Sequence, residues 1–428
     1  MTMRWIGMVA LAGAMVVPVM TQSQSVTRAF IGAALFDGTG APAVPNVVLI
    51  VRDGRIVAVG PASSVTIPDD AERVDVTGRF IIPGIVNAHG HIGSADGLRT
   101  GPEVNTDDTV RRQLALNARY GVTTVVSLGD EGEPGFRARD GNGAPDLTRA
   151  RIFVAGPVVS AKTPDDARRT VREIAKLQPD WIKIRVDDNL GAGTKMPPEV
   201  YRAVIDEAHA AKRRVAAHIF YLEDAKDLLR AGVDFIAHSI RDAPVDRELI
   251  DLMKARNVCL SPTLMREVST FVYATRPAFF DDPFFTREAD PKVVAALEEP
   301  ERQQTMAKSR AAEAYRKGLE VARRNVKTLH DAGIRIASGT DSGPPARFQG
   351  YFEHLELEEL VRSGLTPIQA LKAATGDAAG CAGIGDRLGT LTPSRAADFI
   401  VLSRDPVQDI RNTRTIESVW IAGNRVPR

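Results

Sequence analysis

Six side chains that bind metal ions in proteins, or can be modified to do so, stand at the ends of short apolar segments in this sequence. They are His89, His91, Lys183, His218, His238 and Asp341. Zinc and similar divalent ions take imidazole nitrogens and carboxylate oxygens as ligands, and a lysine becomes a ligand only after modification. The set indicates a metal centre, and metal ions at such centres activate water for hydrolysis.

The positions of these residues favour a shared site over separate buried side chains. His89 and His91 alternate along one predicted strand, so both face the same side. Lys183 is a charge among apolar neighbours, in the run Trp-Ile-Lys-Ile at 181–184. A single buried histidine is more often a packed core residue than a ligand. Six residues that can bind metal, on five predicted strands, are hard to explain by packing alone.

The other three histidines carry weaker signals. His209 and His330 lie in predicted helices, and we interpret both as structural. His354 lies near the start of the helix that follows Asp341. Either a substrate contact or helix capping and packing would explain it.

The elements that must position these residues alternate between short apolar strands and amphipathic helices. This order is typical of an α/β fold, and it predicts a TIM-like (β/α)8 barrel with its site at the carboxyl ends of the strands. A doubly wound open sheet is the alternative, but no Gly-x-Gly-x-x-Gly turn follows the first strand. The predicted strands are 84–88, 123–128, 152–155, 181–186, 214–219, 235–240, 258–264 and 335–339.

The two ends of the chain are strand-like and flank this alternating region. The apolar run 47–51 leads into Asp53-Gly54, which favours a hairpin turn, and 55–59 returns from it. Two more strands are predicted at 397–402 and 416–423. We therefore predict a small composite β-sandwich domain from residues 26–82 and 385–428, with the barrel at 83–384 inserted between them.

One segment of the barrel region, 266–301, is long for a connection between a strand and a helix. Long segments of this kind often cover a binding site, so a lid over the barrel mouth is one interpretation. An apolar cluster beneath an extra helix is the other. The segment contains six aromatic residues, Phe271, Tyr273, Phe279, Phe280, Phe284 and Phe285.

Composition and the N-terminus bear on partners and location. Lys and Arg number 55 against 54 Asp and Glu, which gives no reason to expect nucleic acid or an anionic membrane as partner. Residues 1–25 begin Met-Thr-Met-Arg and continue with an apolar run, which predicts a signal peptide and a periplasmic or secreted protein. An uncleaved N-terminal anchor is the alternative, although the run is marginal for a membrane span.

The chain has two cysteines, Cys259 and Cys381. Export would permit a disulfide, but each lies in a predicted core element, so we expect two separate buried side chains. A zinc–thiolate site would need more cysteines at closer spacing.

Several motifs together resemble the amidohydrolase superfamily. Lys183 is similar to the carboxylated, metal-bridging lysine of prolidase-like and ochratoxinase-like members, whereas the imidazolonepropionase type lacks this lysine and uses one metal ion. Asn87 stands where many relatives have Asp, and Ser239 stands where Gly is common in prolidase-like relatives. The matching pieces are 83–91 (PGIVNAHGH), Lys183, His218, His238, 339–341 (GTD), 365–375 (LTPIQALKAAT), 389–391 (GTL) and 396–398 (AAD).

The resemblance implies a metal-dependent hydrolase with two divalent ions, for which zinc is expected. The two histidines of the first strand and Asp341 would bind one ion, and His218 and His238 the other. Lys183, after reaction with carbon dioxide, would bridge both as a carbamate. A bridging hydroxide would attack the substrate, and Asp341 would carry the proton to the leaving group.

The substrate is the least constrained part of this hypothesis. A small molecule with an amide or peptide bond is expected, either a dipeptide (Xaa-Pro among the candidates) or an N-acyl amino acid. Lactone, cyclic-amide and carbamate hydrolysis stay open, as does a non-catalytic periplasmic metal-binding protein, which would need no base at Asp341. The sequence also leaves open a homo-oligomer. Candidate substrate-binding residues are Arg185, Tyr221, Arg347 and His354, and the arginines suit a carboxylate.

Overall fold

The structure is a computed structural model that describes Thr2 and residues 26–428. The predicted signal peptide at 1–25 lies outside the described residues, apart from Thr2. Within the described part of the chain, no helix is long and apolar enough to cross a membrane.

Short strands occur along the whole described chain. In chain order they are β1 (Arg28–Leu35), β2 (Val44–Arg52), β3 (Arg55–Pro61), β4 (Glu72–Asp75), β5 (Phe80–Pro83), β6 (Ile85–Gly90), β7 (Ala95–Asp96), β8 (Arg99–Thr100), β9 (Val122–Ser127), β10 (Arg151–Val154), β11 (Trp181–Val186), β12 (Arg214–Ile219), β13 (Phe235–Ala237), β14 (Cys259–Ser261), β15 (Phe399–Leu402), β16 (Ile416–Ile421) and β17 (Asn424–Arg425).

Helices separate most of the strands between β6 and β15. They are α1 (Asp107–Arg119), α2 (Glu133–Asp140), α3 (Pro164–Lys176), α4 (Pro198–Ala210), α5 (Leu222–Ala231), α6 (Arg247–Arg256), α7 (Leu264–Ser269), α8 (Pro283–Thr286), α9 (Pro291–Leu297), α10 (Pro300–Ala307), α11 (Arg310–Asp331), α12 (Tyr351–Arg362), α13 (Pro367–Ala373) and α14 (Gly376–Ala382).

Strands from both ends of the chain form one sheet. Its order is β17-β16-β15-β5-β1-β2-β3, with β4 paired to β1. Strand β5 joins the two ends, because it pairs in parallel with β1 and antiparallel with β15. The turn between β2 and β3 has positive φ at Asp53 (51°) and Gly54 (72°), as its sequence predicted. The described pairing is one connected sheet, and its division into a two-layered sandwich domain stays a prediction.

Two parallel sheets carry the candidate site, with orders β10-β9-β6 and β11-β12-β13-β14. An isolated parallel pair between Val159 and Ile184 links the first sheet to the second. Two more pairs, Leu260–Ile336 and Gly90–Ser342, attach the predicted eighth strand to β14 on one side and β6 on the other. The α/β class and the parallel strands predicted from the sequence are therefore observed, and a closed barrel stays a prediction.

Helix packing explains why these strands are buried. All six residues of β9 are buried, as expected for a parallel strand with both faces covered. Helix α3 buries Ala167, Val171 and Ile174, which recur on one face at helical spacing. Strand β14 is shorter than its predicted range 258–264 because Pro262, which has no backbone N–H to donate, follows it.

Cys259 and Cys381 form a disulfide, which corrects the expectation of two separate thiols. Cys259 lies on β14 and Cys381 on α14, and their Cα atoms are 6.0 Å apart. Both belong to one buried apolar cluster. A separation of 122 residues along the chain hid this contact. A bond that closes so long a loop restricts the unfolded chain strongly.

The segment 266–301 folds into short helices, which include α8 and α9. Tyr273, Phe280 and Phe285 are almost completely buried. They pack in one apolar cluster with side chains that include Tyr351 and Phe352 of α12. This cluster favours the packing interpretation of the aromatic residues, and a lid at this segment stays a prediction.

Candidate metal centre

Three of the predicted ligands meet at the carboxyl ends of the first and eighth strands. Donor atoms of His89, His91 and Asp341 lie within 4.8 Å of one another. The distance from His91 Nε2 to Asp341 Oδ1 is 2.8 Å, and that from His89 Nε2 to the same oxygen is 3.8 Å. The Asp341 backbone N–H donates to the His89 carbonyl at 2.7 Å, so the two strand ends are fixed to each other.

Lys183 lies beside these three residues. Strand β11 places its Nζ 3.2 Å from His89 Nε2, and only 4% of the residue is exposed. Burial lowers the pKa of Lys183 to about 8, because the ammonium loses its hydration. A lysine in this environment has a larger neutral fraction at physiological pH than an exposed one, and the neutral amine is the nucleophilic form.

His218 and His238 extend the same group on the neighbouring strands. Their ring centroids are 4.1 Å apart, and the His238 ring lies 4.7 Å from that of His89. The His218 Nε2 atom contacts the Asp187 carboxylate, and the His238 Nδ1 atom lies 2.6 Å from Thr263 Oγ1. The structure thus brings all six predicted ligands into one buried group, with the closest donor atoms on His89, His91 and Asp341.

The pKa values of three histidines and of Asp341 suit metal binding, whereas the pKa of His91 is raised, because the effect of burial is outweighed by the Asp341 carboxylate. Burial lowers the pKa of His218 to about 3 and holds the pKa values of His89 and His238 well below the usual range. Burial opposes ionisation of Asp341, but the Arg347 charge and the bond to His91 hold its pKa well below the usual range. Neutral imidazoles keep a lone pair for a metal ion, and an ionised carboxylate supplies the negative charge.

One buried ring nitrogen of the group lacks a hydrogen-bond partner among the described residues. It is His89 Nδ1, whereas Nε2 of the same ring lies near Asp341 and Lys183. Buried polar atoms without partners are uncommon in folded proteins and call for an explanation. An imidazole, carboxylate and modifiable lysine set is the donor chemistry of a divalent transition metal. We conclude that the residues present fit such an ion.

Asn87 and Glu353 form hydrogen bonds that hold the backbone around the candidate ligands in place. Asn87 Oδ1 accepts the His89 backbone N–H at 3.0 Å, and Asn87 Nδ2 donates to Glu353 Oε1 at 2.6 Å. The same Glu353 oxygen accepts the hydroxyls of Thr340 at 3.0 Å and Ser342 at 2.7 Å. This pair therefore fixes both the strand that carries His89 and the turn that carries Asp341. The sequence analysis missed Glu353 because this residue lies within helix α12 and does not follow a predicted strand in the sequence.

Replacing Glu353 with glutamine is expected to weaken metal binding by about 10- to 100-fold. This is the usual cost of losing a residue that orients metal ligands without binding the metal itself. The glutamine amide would place a donor or a weaker acceptor against Asn87 Nδ2 and two hydroxyls that all need an acceptor. Equilibrium titration against a competing chelator measures the effect.

The matched control is Glu356→Gln on the same helix, because Glu356 accepts the backbone N–H groups of Leu264 and Met265 and makes no bond to the centre. Adding Asn87→Asp to Glu353→Gln reverses donor and acceptor and should recover part of the affinity. Equal metal affinities in the Glu353→Gln and Glu356→Gln proteins would contradict the supporting role.

Glu131 is a second buried carboxylate that the sequence analysis missed. It accepts the Ser127 hydroxyl at 2.6 Å and the backbone N–H groups of Gly129 and 155–156 at 2.7–3.0 Å. The Gly129 carbonyl in turn lies 3.1 Å from His91 Nδ1. Burial raises the pKa of Glu131 to about 7. Glu131 therefore orients His91 through the loop after β9, and an acidic residue just past a strand end was its only sequence signal.

The candidate substrate-binding residues fall into different surroundings. Arg347 Nη1 donates to Asp341 Oδ2 at 2.5 Å, so this residue lies at the centre. Arg185 is half exposed and donates to Asn189 Oδ1 at 2.6 Å. The Tyr221 hydroxyl donates to Asp188 Oδ1 at 2.8 Å. For these three residues a substrate contact stays a prediction.

His354, the fourth candidate, lies in packed surroundings. The ring is buried, with Nδ1 3.0 Å from Thr413 Oγ1 and Nε2 2.8 Å from the Tyr120 carbonyl. Phe284 packs edge-on against it at 4.9 Å between ring centroids. Both ring nitrogens are thus engaged within the protein, which favours the packing interpretation, and a substrate contact at His354 stays a prediction.

The family of this chain follows from a comparison over most of its length. Residues 80–426 match the Amidohydrolase family. The chain belongs to this family. The match confirms the resemblance drawn from the strand-end motifs, and it includes all six candidate ligands.

Individual relatives of this amidohydrolase are distant. It is 26% identical to an uncharacterized protein of Mycobacterium tuberculosis in an alignment 386 positions long that covers 87% of this chain and 90% of that protein. It is 25% identical to ochratoxinase of Aspergillus niger in an alignment 464 positions long that covers 94% of this chain and 87% of the ochratoxinase. A candidate prolidase structure from Bifidobacterium longum superposes with a TM-score of 0.75 at 27% identity, covering 94% of this chain and 95% of that one.

Proposed function

We propose that this amidohydrolase is a binuclear metal-dependent enzyme that cleaves an amide or peptide bond in a small molecule, such as a dipeptide or an N-acyl amino acid. The observation that carries the proposal is the buried group of His89, His91 and Asp341, with Lys183 Nζ 3.2 Å from His89 Nε2. Prolidase and ochratoxinase relatives support an amide as the bond that is cleaved.

The roles of the residues follow from their places. His89, His91 and Asp341 would hold one divalent ion, His218 and His238 the other, and Lys183 would bridge them as a carbamate. When bound, the ions, for which zinc is expected, would lower the pKa of a water molecule and polarise the substrate carbonyl.

Asp341 would move the proton, and its two oxygens have different surroundings. Arg347 binds Oδ2, which leaves Oδ1 on the side of the histidines, 2.8 Å from His91 Nε2. A carboxylate fixed in this way can take a proton on one oxygen and deliver it to the leaving group without a change of rotamer.

We further propose that the parallel strands form one closed TIM-like (β/α)8 barrel at 83–384, with a composite β-sandwich domain from 26–82 and 385–428. The isolated pairs Val159–Ile184, Leu260–Ile336 and Gly90–Ser342 support closure. Export to the periplasm or the medium is proposed as well. The N-terminal sequence 1–25 supports it, and so does the Cys259–Cys381 disulfide, since disulfides persist in oxidising compartments.

Elemental analysis coupled to a substrate screen tests the proposed function. We expect close to two divalent ions per chain and hydrolysis of dipeptides, Xaa-Pro included, or N-acyl amino acids, which stops on chelation and returns with metal. One tightly bound ion with full activity would indicate the mononuclear type. Faster turnover of lactones, cyclic amides or carbamates would overturn the substrate class, and a fully loaded protein that hydrolyses none of them would indicate a metal-binding protein.

A further inference from the structure

Two arginines share one glutamate in the interior, next to the candidate metal centre. Arg241 Nε lies 3.3 Å from Glu267 Oε1, and Arg266 Nη1 lies 3.1 Å from the same oxygen. The side chains of Arg241 and Glu267 are 0% exposed and that of Arg266 is 7% exposed. We call these three residues the Arg–Glu–Arg cluster.

Arg266 is the member of the Arg–Glu–Arg cluster that reaches the centre. It lies on α7, soon after β14, and therefore at the carboxyl edge of the parallel strands. Its Nε is 4.0 Å from Asp341 Oδ2, the oxygen that Arg347 already binds. Arg266 thus lies next to the carboxylate that we place at the reaction without being its hydrogen-bond partner.

Aromatic rings fix the two guanidinium groups of the cluster. Arg266 Cζ lies 4.6 Å from the Tyr315 ring centroid, and Arg241 Cζ lies 4.5 Å from that of Phe220. Arg241 Nη1 also donates to the carbonyl of Ser239, the residue after His238, at 2.8 Å. Stacking of this kind holds the plane of a guanidinium and makes it ready for a ligand.

The Arg–Glu–Arg cluster retains donors that no group within residues 26–428 satisfies. In that part of the chain, Arg266 Nε, Arg241 Nε and Arg241 Nη2 are buried without a hydrogen-bond partner. Unpaired buried cationic donors are strongly unfavourable. Arg347, whose side chain is 19% exposed, pairs with Asp341, so in the salt bridges of these groups three guanidinium charges meet the two carboxylates of Glu267 and Asp341. One positive charge is left over, so an anionic ligand would be complementary to this place.

We propose that Arg266 recognises a carboxylate of the substrate and that Arg241 and Glu267 are positioning residues that hold Arg266 in place. This inference rests on the proposed function. It assigns the carboxylate contact, which we call the anchor, to Arg266 instead of Arg185 or Arg347, the two arginines predicted from the sequence. Arg347 is bound to Asp341, and Arg185 is half exposed and bound to Asn189. The substrate class is then peptides and N-acyl amino acids with a free carboxylate next to the cleaved bond.

Binding of a pair of uncleaved probes tests the anchor. N-methanesulfonylproline and its methyl amide differ only in the carboxylate, and the sulfonamide bond replaces the bond to be cleaved. By calorimetry on the metal-loaded protein, we expect the acid to bind at least about 10-fold more tightly than the amide. In Arg266→Gln this preference should fall to about 3-fold or less. Arg151→Gln, which neutralises a buried arginine paired with Asp398, should keep it.

Kinetics on N-acetylproline provide a second measurement. Arg266→Gln should raise KM by about 10-fold or more with a smaller change in kcat, the pattern of a lost binding contact. Arg266→Lys keeps the charge and should retain part of the acid preference, and it serves as the test if Arg266→Gln does not fold. Arg241→Met should lower the preference less than Arg266→Gln does.

Three results would overturn the inference. They are equal binding of acid and amide by the parent protein, an unchanged preference in Arg266→Gln, and inorganic phosphate displacing the acid equally well from the parent and Arg266→Gln proteins. If the acid preference depends on Arg266 but no amide is hydrolysed, the anchor stands and the proposed function fails.

Discussion

Replacing Lys183 with alanine is expected to reduce turnover by more than about 100-fold and to lower the metal content to about one ion per chain. Loss of a residue that only orients a metal ligand costs about 10- to 100-fold in metal affinity or activity, so loss of a bridging ligand should cost more. Nζ lies 3.2 Å from His89 Nε2 inside the buried group, so its removal leaves a gap between the two proposed ion positions. Steady-state kinetics and elemental analysis of the same preparation measure both effects.

Short carboxylic acids are expected to rescue the activity of Lys183→Ala in part. Acetate or propionate supplied with excess metal can place two oxygens where the carbamate would lie, and should restore part of the activity of Lys183→Ala. The matched control is Lys226→Ala, because Lys226 is equally buried but pairs with Asp246 and Glu223 at the surface of α5. Full activity in Lys183→Ala, or a similar loss in Lys226→Ala, would contradict the bridge.

The ligand group could be predicted from the sequence because parallel strands bring their carboxyl ends to one edge whatever their separation in the chain. His89, His218 and His238 lie far apart in the sequence, yet each follows the apolar part of a strand. Since parallel strands share one carboxyl edge, the strand order alone implied that these side chains meet. Only local alternation and strand order were needed for that step.

The supporting residues could not be predicted in the same way. Glu353, Arg266 and Glu267 lie on helices α12 and α7, and their contacts with the centre depend on how those helices are rotated and packed. A helix brings about a third of its residues to any one neighbour, so the residue types alone did not select them. The sequence analysis therefore assigned the carboxylate anchor to Arg185 and Arg347, which were recognisable by their distance from a ligand along the chain.

The disulfide and the surroundings of His354 escaped the sequence analysis for the same reason. His354 stands close to Asp341 in the sequence, but the turn before α12 directs its ring to Thr413 and the Tyr120 carbonyl. Cys259 and Cys381 are each consistent with a small core residue, and only the packing of α14 against the parallel strands places their Cα atoms 6.0 Å apart. The burial of the two cysteines was predicted correctly, but their bond to each other was not.

The proton-transfer role of Asp341 leads to the second large expected effect. Asparagine has nearly the same shape and can still bind Arg347 or a metal ion through its oxygen, but it cannot take up a proton at neutral pH. We expect Asp341→Asn to lower kcat by about 100- to 10,000-fold, the range for loss of a general acid–base group. KM should change much less, because the substrate anchor proposed at Arg266 is intact.

Two measurements separate proton transfer from a loss of structure or metal in Asp341→Asn. Elemental analysis decides whether the ions remain, and the control Asp398→Asn removes a buried carboxylate that pairs with Arg151 away from the candidate centre. If Asp341→Asn keeps its metal and turns over within about 10-fold of the parent, another group must move the proton. Glu131, with a pKa of about 7 and a place beside the loop that orients His91, would then be the next residue to replace. If metal is lost together with activity, the ligand role of Asp341 accounts for the effect, and a metal titration that restores binding without turnover would separate the two roles.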